Sequence, residues 1–79
     1  MANDRIPKAE VEKWLERLDK KLSKVEAKSK LGADALRNAE AYRDDCKHWL
    51  EQGNLFLAFE ACVYSWAIVE TAENLGEMV

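Results

Sequence analysis

Two cysteines and one histidine are the side chains of this sequence best suited to metal or redox chemistry. Cys46, Cys62 and His48 are the only residues of their types. Asp44 lies four positions before His48, a spacing that metal ligands use on a helix. A structural zinc ion takes four ligands, however, and Cys46 would point to a different helix face from His48. We therefore predict a surface Asp–His pair and no metal site, since a metal would need ligands from a second protomer.

The cysteines themselves are predicted to be small core residues without reactivity. They do not form a Cys-x-x-Cys motif, which is the usual arrangement of a redox-active pair. A redox pair stays open as an alternative, because the helical hairpin predicted below brings Cys46 level with Cys62. The sequence contains no pattern that implies a cofactor.

Asp45, Glu60 and Glu70 are candidates for acid–base chemistry, which relies on carboxylates with shifted pKa values in a water-poor cleft. Tyr64 lies one helical turn after Glu60, so these two side chains could form a buried hydrogen bond. The sequence supplies neither a nucleophile with a base nor a phosphate-binding loop. We predict that the protein is not an enzyme, and that Asp45, Glu60 and Glu70 form a polar rim that sets the helix register. Hydrogen bonding of this rim to a partner stays open as an alternative. Catalysis by Asp45, Glu60 and Tyr64 is the less favoured alternative.

Length and composition limit the protein to one small domain. The chain has 79 residues, of which 48% are hydrophobic and 34% charged, with a net charge of −3. These values exclude a multidomain enzyme, a disulfide scaffold and a disordered tail. No apolar run has the roughly 20 residues that a membrane helix needs, and the N-terminus lacks the apolar segment of a signal peptide. Two cysteines without such a signal are typical of a cytosolic protein. We expect a cytoplasmic protein that does not bind membranes.

The N-terminal part of the chain predicts a long amphipathic helix. Its apolar side chains recur at intervals of four and three, at Val11, Leu15, Leu18, Leu22 and Val25. This spacing is typical of a helix with one buried face. Pro7 is tolerated only in the first turn of a helix. We therefore predict a first helix over about residues 5–29, followed by an interruption at residues 29–32.

A second helix is predicted over residues 33–52, with Asp34 or the residues just before it as its cap. One side of this helix carries apolar and small residues, which we expect to face the core. They are Leu36, Ala39, Tyr42, Cys46, Trp49 and Leu50.

The second and third helices are predicted to form an antiparallel hairpin. Gly53 supplies a helix stop and Asn54 supplies the next cap, so the third helix should cover residues 55–75 and end before Gly76. Folding the chain about this turn places residues whose numbers sum to about 108 at the same level. The predicted neighbours are Cys46 with Cys62, Trp49 with Phe59, and Tyr42 with Trp66.

The third helix is apolar around its whole circumference. Between Leu55 and Val69, Glu60 is the only charged residue, and a helix of this kind is normally buried on more than one side. Two partner helices cannot cover it completely in a domain of this size, so an apolar patch should stay exposed and mediate association. We predict a homo-oligomer, with a dimer favoured. The candidate interface residues are Phe56, Phe59, Val63, Tyr64, Trp66 and Ile68.

Charge is distributed unevenly along the chain. Residues 1–30 contain nine Lys or Arg against six Asp or Glu, whereas residues 31–79 contain three against nine. A cluster of lysines at the end of helix one could bind nucleic acid or an acidic partner. Because the net charge of −3 is unlike that of most nucleic-acid binders, we expect a solvated surface and keep weak nucleic-acid binding as the alternative function. The candidate basic patch consists of Lys20, Lys21, Lys24 and Lys28.

A spaced set of aromatic, acidic and small residues runs through the second and third predicted helices. Its members are Tyr42, Asp45, Trp49, Gly53, Ala58, Glu60 and Tyr64. This pattern resembles that of a family of short archaeal proteins, domain-of-unknown-function family 357, over a little more than half of the chain. The resemblance implies an all-α, antiparallel up-and-down three-helix bundle and an archaeal, cytosolic origin. It implies no activity, because none is assigned to the family.

The sequence departs from the family pattern at two places. The family usually has Gly-Asp at the turn where this chain has Gly53-Asn54, and both residue types can cap a helix. The family often has a histidine where this chain has Trp66, so a proton-transfer or metal role is not expected at that position.

The sequence therefore predicts a single all-α domain over residues 1–79, built as an antiparallel three-helix bundle. Its predicted function is that of a non-enzymatic interaction or assembly module. Self-association would use the surplus apolar surface of helix three, to which helix one can contribute.

Overall fold

Three α-helices make up most of the structure, a computed structural model that describes residues 7–79. Helix α1 covers Lys8–Lys24, α2 covers Lys30–Glu51 and α3 covers Leu55–Asn74. They run up, down and up in an antiparallel bundle, which confirms the predicted fold class. Within the described residues, the only β-type pairing is an isolated bridge between Ala27 and Met78.

Helix α1 buries the predicted stripe but ends earlier than predicted. Val11 and Leu18 are completely buried and Leu22 nearly so. The helix stops at Lys24, five residues before the predicted end, because residues 25–29 are needed elsewhere. They run extended beside the C-terminal segment, residues 77–79. The first two residues of the predicted helix, at positions 5 and 6, lie outside the described residues.

Backbone hydrogen bonds fix this extended pairing. The N–H of Glu26 donates to the carbonyl of Val79, and the N–H of Val79 donates back to the carbonyl of Glu26 at 2.9 Å. The N–H of Lys28 donates to the carbonyl of Glu77 at 2.8 Å. Met78 lies between these bonds, is 1% exposed and belongs to the core. The C-terminal segment is thus tied to the α1–α2 linker by strand-like bonds, which residues 25–29 could not form as part of a helix.

Helix α2 begins three residues before its predicted start. Ser29 is the cap, and its Oγ accepts a hydrogen bond from Gly32 N–H at 3.0 Å. The predicted interruption at residues 29–32 and the predicted cap at Asp34 or just before it are wrong, because Ser29 is the cap and Gly32 is part of the first turn. A Cβ at Gly32 would lie 1.9 Å from the carbonyl oxygen of Glu77, so glycine is required here for close packing, not for chain reversal.

The α2–α3 turn is formed by the residues predicted for it. Gly53 has φ of +77°, in the left-handed region where glycine carries no steric penalty. Asn54 follows as the cap of α3, and its side chain accepts a hydrogen bond from Leu57 N–H at 3.0 Å.

The contact between α2 and α3, which we call the α2–α3 seam, is lined by small residues. Ser65 is completely buried in it and donates a hydrogen bond from Oγ to the carbonyl of Ala39 at 2.7 Å. The distance between two packed helices depends on the side chains at their contact, so small side chains let the two backbones approach closely. The other buried small residues of the two helices are Gly32, Cys46, Ala58, Ala61, Cys62 and Ala72.

The contact between α1 and α3, the α1–α3 seam, relies on larger side chains. The rings of Trp14 and Trp66 meet edge to face with centroids 6.4 Å apart, and Lys21 Nζ lies 2.8 Å from Glu73 Oε2. The two helices run in the same direction. On its other flank, α1 meets α2 where the side chain of Asp19 pairs with that of Arg43 at 3.3 Å.

The hairpin register is close to the predicted one, with a correction at its aromatic residues. Cys46 and Cys62 are buried neighbours that interact across the hairpin. Tyr42, however, packs on the ring of Tyr64, with centroids 5.5 Å apart. The predicted partner Trp66 turns instead to Trp14 of α1. The predicted Trp49–Phe59 pair stays a prediction.

Candidate functional site

Between Leu55 and Val69, helix α3 is apolar on every side apart from Glu60, but it is buried on one side only. At 100° per residue, its exposed side chains fall within an arc of about 120°, and the buried ones lie on the opposite side. We call this surface the exposed arc. Ala67 lies at its centre. Its members are Phe56, Glu60, Val63, Tyr64, Ala67, Glu70, Thr71 and Asn74.

The six predicted interface residues divide into two groups. Phe56, Val63 and Tyr64 belong to the exposed arc, with 63%, 45% and 48% of their surfaces exposed. The other three are half-buried and pack against the core, so each offers only one edge to a partner. They are Phe59, Trp66 and Ile68. The assignment of these residues to an interface stays a prediction.

A groove runs along each side of the exposed arc. The α1–α3 groove has a volume of about 520 Å³ and is lined by Trp14, Phe59, Cys62, Val63, Trp66, Ala67 and Glu70. The α2–α3 groove has a volume of about 330 Å³ and is lined by Leu31, Ala35, Ala67, Ile68, Thr71, Ala72, Leu75 and Glu77. Ala67 borders both grooves. Because its side chain is a single methyl group, a partner helix could approach the arc closely at its centre.

Three residues at the edges of these grooves were not singled out from the sequence. Arg17 lies over the ring of Trp14, with its guanidinium carbon 5.0 Å from the ring centroid, and Trp14 forms the α1 wall of the α1–α3 groove. On the other side, Leu31 and Leu75 are 60% and 65% exposed. The small residues of α3 recur at helical spacing and form its buried side. That pattern was the signal in the sequence from which the opposite, exposed side could have been identified.

The indole nitrogen of Trp66 is another feature that the sequence did not indicate. Its Nε1 is buried and has no hydrogen-bond partner within the part of the chain that the structure describes. Such a group is costly to bury, so the apolar packing of the ring between α1 and α3 has to outweigh that cost.

The predicted polar rim is exposed but does not lie on a single element. Glu60 and Glu70 belong to the exposed arc of α3, whereas Asp45 lies on α2. The predicted buried hydrogen bond between Glu60 and Tyr64 is wrong, because both side chains are exposed to solvent. Their one-turn spacing places them on the arc and not on the buried side.

The lysine cluster is largely neutralised by carboxylates. Lys20, Lys21 and Lys28 lie 3.8, 2.8 and 3.6 Å from Glu16, Glu73 and Glu26, respectively. Lys28 is not part of α1, contrary to the prediction, because the helix has already ended at Lys24. A nucleic acid would therefore have to displace ion pairs to reach most of this patch.

The cysteine side chains lie inside the α2–α3 seam. Cys46 and Cys62 are 0% and 1% exposed and are free thiols. The interaction with the neighbouring Cys46 thiol, together with burial, raises the pKa of Cys62, and the same interaction lowers the pKa of Cys46 against the effect of burial. Cys62 therefore stays a thiol at neutral pH, and thiols are much weaker nucleophiles than thiolates.

Asp44 and His48 both lie on the surface of α2, but the predicted pair is wrong, because no ion pair joins them among residues 7–79. The Asp44 carboxylate accepts a hydrogen bond from Arg43 Nε at 2.9 Å, and the His48 ring packs against Trp49 with centroids 4.9 Å apart. Burial lowers the pKa of Arg43, but the hydrogen bonds and charges of Asp44 and Asp19 outweigh that effect and raise it. Across residues 7–79, no group of three or more His, Cys, Asp or Glu side chains is arranged to hold a metal ion.

Helix α3 also corrects one statement made from the sequence. Its 20 residues reach a mean hydropathy of 1.4 over an 18-residue window, so by length and composition it could cross a membrane. Counting uninterrupted apolar runs overlooks this, because Glu60 and Glu70 interrupt them. One helix of this kind is weak evidence for a membrane span, since core helices of soluble proteins meet the same criterion.

Comparisons with known proteins give a family and a fold. A family model described as "Protein of unknown function (DUF357)" matches residues 13–78. The crystal structure of protein AF1782 from Archaeoglobus fulgidus, a protein assigned to the same family model, is 35% identical in sequence. The match covers 91% of this chain and 90% of that one, with a TM-score of 0.82. No curated protein matches the chain significantly.

Proposed function

The chain belongs to the DUF357 family of unknown function, and on that premise we propose that it is a non-enzymatic assembly module that self-associates through the exposed arc of α3. The observation that carries the proposal is the contrast between the composition and the burial of this helix. A helix that is apolar all round is normally covered all round, yet the bundle covers only one side of α3.

Burial of the arc would supply the free energy of association. Phe56, Val63 and Tyr64 leave about half or more of their surfaces in water, and each square ångström of apolar surface removed from water contributes about 25 cal/mol. The bundle is 43 Å long and 20 Å across its wider side. One long face therefore provides roughly the 800 Å² per partner that a standard protein interface buries.

The arc is better suited to a protein partner than to lipid. Glu60 and Glu70 lie among its apolar residues, and charged groups are costly in the hydrocarbon core of a bilayer. At a protein surface the same carboxylates can hydrogen-bond a partner and fix its register. We therefore propose a cytoplasmic dimer rather than a membrane-bound protein.

A direct test compares the mass in solution of the wild-type protein with that of Val63→Glu. We expect light scattering at two protein concentrations to give at least twice the mass of one chain for the wild type. Val63→Glu should give a monomer with unchanged helicity, because a third carboxylate on the arc would be buried without a partner in the dimer.

Val79→Glu is the matched control, since Val79 is similarly exposed but lies outside the arc. This variant should keep the mass of the wild type. A wild-type protein that stays monomeric at both concentrations, or a Val63→Glu variant that associates normally, would contradict the proposal.

A further inference from the structure

We propose that the partner of the exposed arc is a second copy whose α3 lies along the α1–α3 groove, parallel to α1, with Arg17 of each protomer paired to Glu70 of the other. The two-fold axis then runs along the helices. This inference rests on the proposed function and adds the identity of the opposing helix, its direction and its ion pair.

The charges of the helices favour α1 as the element opposite α3. Helix α1 contains six Lys or Arg and four Asp or Glu, whereas α3 contains three glutamates and no basic residue. Within residues 7–79, neither Glu60 nor Glu70 forms an ion pair. A parallel dimer built from α3 alone would bring like carboxylates to the same level, and like charges across an interface are destabilising. Placing α1 of the partner beside the arc supplies the missing cations.

The levels of the residues follow from the contacts between α1 and α3. The helices run parallel, and the residue numbers in the pairs Trp14–Trp66 and Lys21–Glu73 both differ by 52. Arg17 is therefore level with Val69, directly beside Glu70. A two-fold axis parallel to the helices preserves these levels. Arg17 of one protomer consequently reaches the level of Glu70 of its partner.

The groove provides the shape for this arrangement. Trp14 forms its α1 wall, with Arg17 stacked over the ring at the edge. Val63 and Ala67 form the α3 wall, and the small side chain of Ala67 leaves room for a second helix. Glu70 also lines this groove. The predicted ion pair would therefore form at the border between the apolar contact and solvent, where both charged groups stay largely hydrated.

The test uses two variants whose charges are reversed on opposite sides of the predicted pair. A homodimer contains two equivalent sites at which position 17 of one protomer meets position 70 of the other. In Arg17→Glu both sites hold two glutamates, and in Glu70→Arg both sites hold two arginines. We expect each variant alone to dissociate with a Kd at least about tenfold higher than that of the wild type, because like charges across an interface repel. Circular dichroism should show unchanged helicity, since both positions are exposed.

An equimolar mixture of the two variants gives the decisive result. In the heterodimer, one of the two sites joins the native Arg17 and Glu70 side chains. The other site joins the two substituted side chains, a glutamate at position 17 and an arginine at position 70, which again carry opposite charges. We expect the mixture to recover the wild-type mass and affinity. Ion pairing within one chain cannot produce this recovery, because each variant carries two like charges at its own positions 17 and 70.

Two charge reversals elsewhere serve as matched controls. Lys20→Glu lies at an exposed position of α1 and Glu51→Arg at an exposed position of α2, so each should keep the wild-type affinity and their mixture should show no preference for a heterodimer. If the wild type is a dimer but the mixture of Arg17→Glu and Glu70→Arg gives no preferred heterodimer, the predicted ion pair is wrong while self-association stands. If the wild type is a monomer, the proposed function fails as well.

Discussion

The two seams of α3 hold the bundle together in different ways. The α2–α3 seam is lined by small residues and contains a buried hydrogen bond from Ser65 to the carbonyl of Ala39. The α1–α3 seam depends on a few large side chains, including the Trp14–Trp66 pair, and leaves a groove of about 520 Å³ beside it. The groove on the α2 side is smaller, at about 330 Å³. The comparison shows how one apolar helix can pack closely against one neighbour and leave a larger groove beside another.

Side-chain size explains this difference. Alanine, serine and cysteine allow two backbones to approach closely, and a small gap between them is filled easily. Two tryptophans meeting edge to face hold their helices further apart, and α1 has only 17 residues with which to cover the 20 residues of α3. The α1–α3 seam is therefore the place where a partner can add apolar contacts without disturbing the core.

The largest expected effect comes from removing an anchor of α1. Leu18 is completely buried, and because few large side chains hold α1, Leu18→Ala should lower the free energy of unfolding by about 2–5 kcal/mol. Urea titration followed by circular dichroism measures this change. Leu31→Ala is the control: Leu31 is 60% exposed, and its truncation should change stability by less than about 0.5 kcal/mol. Equal effects of the two substitutions would show that α1 is not held by its buried stripe.

A smaller effect is expected where α2 meets the C-terminal segment. Gly32→Val would place a Cβ at 1.9 Å from the Glu77 carbonyl oxygen, so the backbone has to shift, at a cost of about 1–3 kcal/mol. Thermal or urea unfolding measures the loss. Ala41→Val, at an exposed position of the same helix, gives an upper limit for the propensity cost of valine, since glycine is a poorer helix former than alanine. If both variants lose the same stability, the C-terminal segment does not press on Gly32.

The fold was largely predictable because helical periodicity and caps are local signals. The stripe from Val11 to Leu22 and the turn at Gly53 and Asn54 depend only on neighbouring residues. The end of α1 was not predictable in this way. Residues 25–29 leave the helix to pair with the C-terminal segment, and such a contact joins positions about fifty residues apart. The prediction for Gly32 failed for the same reason, since the role of this residue depends on Glu77.

The candidate site was predictable as a helix but not as a surface. The apolar composition of α3 indicated that it had more hydrophobic surface than two neighbours could cover. Which side stays exposed depends on the small residues of the α2–α3 seam, and the prediction took no account of them. The predicted interface therefore includes Phe59, Trp66 and Ile68, which pack against the core and are partly buried by it. Arg17 was missed because a single basic residue on a helix carries no signal of its own.

The smallest expected effect concerns the buried hydrogen bond of the α2–α3 seam. In Ser65→Ala the donor to the Ala39 carbonyl is lost, but that carbonyl lies inside α2 and keeps its helical bond, so no buried group is left without a partner. The cost is that of a typical net hydrogen bond, about 1 kcal/mol. Ser23→Ala is the matched control, because Ser23 Oγ donates to the Lys20 carbonyl at the same 2.7 Å in an exposed position, where water replaces the lost partner.

Urea titration should separate Ser65→Ala from Ser23→Ala by more than about 0.5 kcal/mol, since only the buried bond lacks water as a substitute partner. Equal stabilities would mean that the α2–α3 seam owes its stability to close packing of small side chains alone. The contrast with the α1–α3 seam, which also contains the Lys21–Glu73 ion pair, would then lie in the size of the side chains that each seam packs.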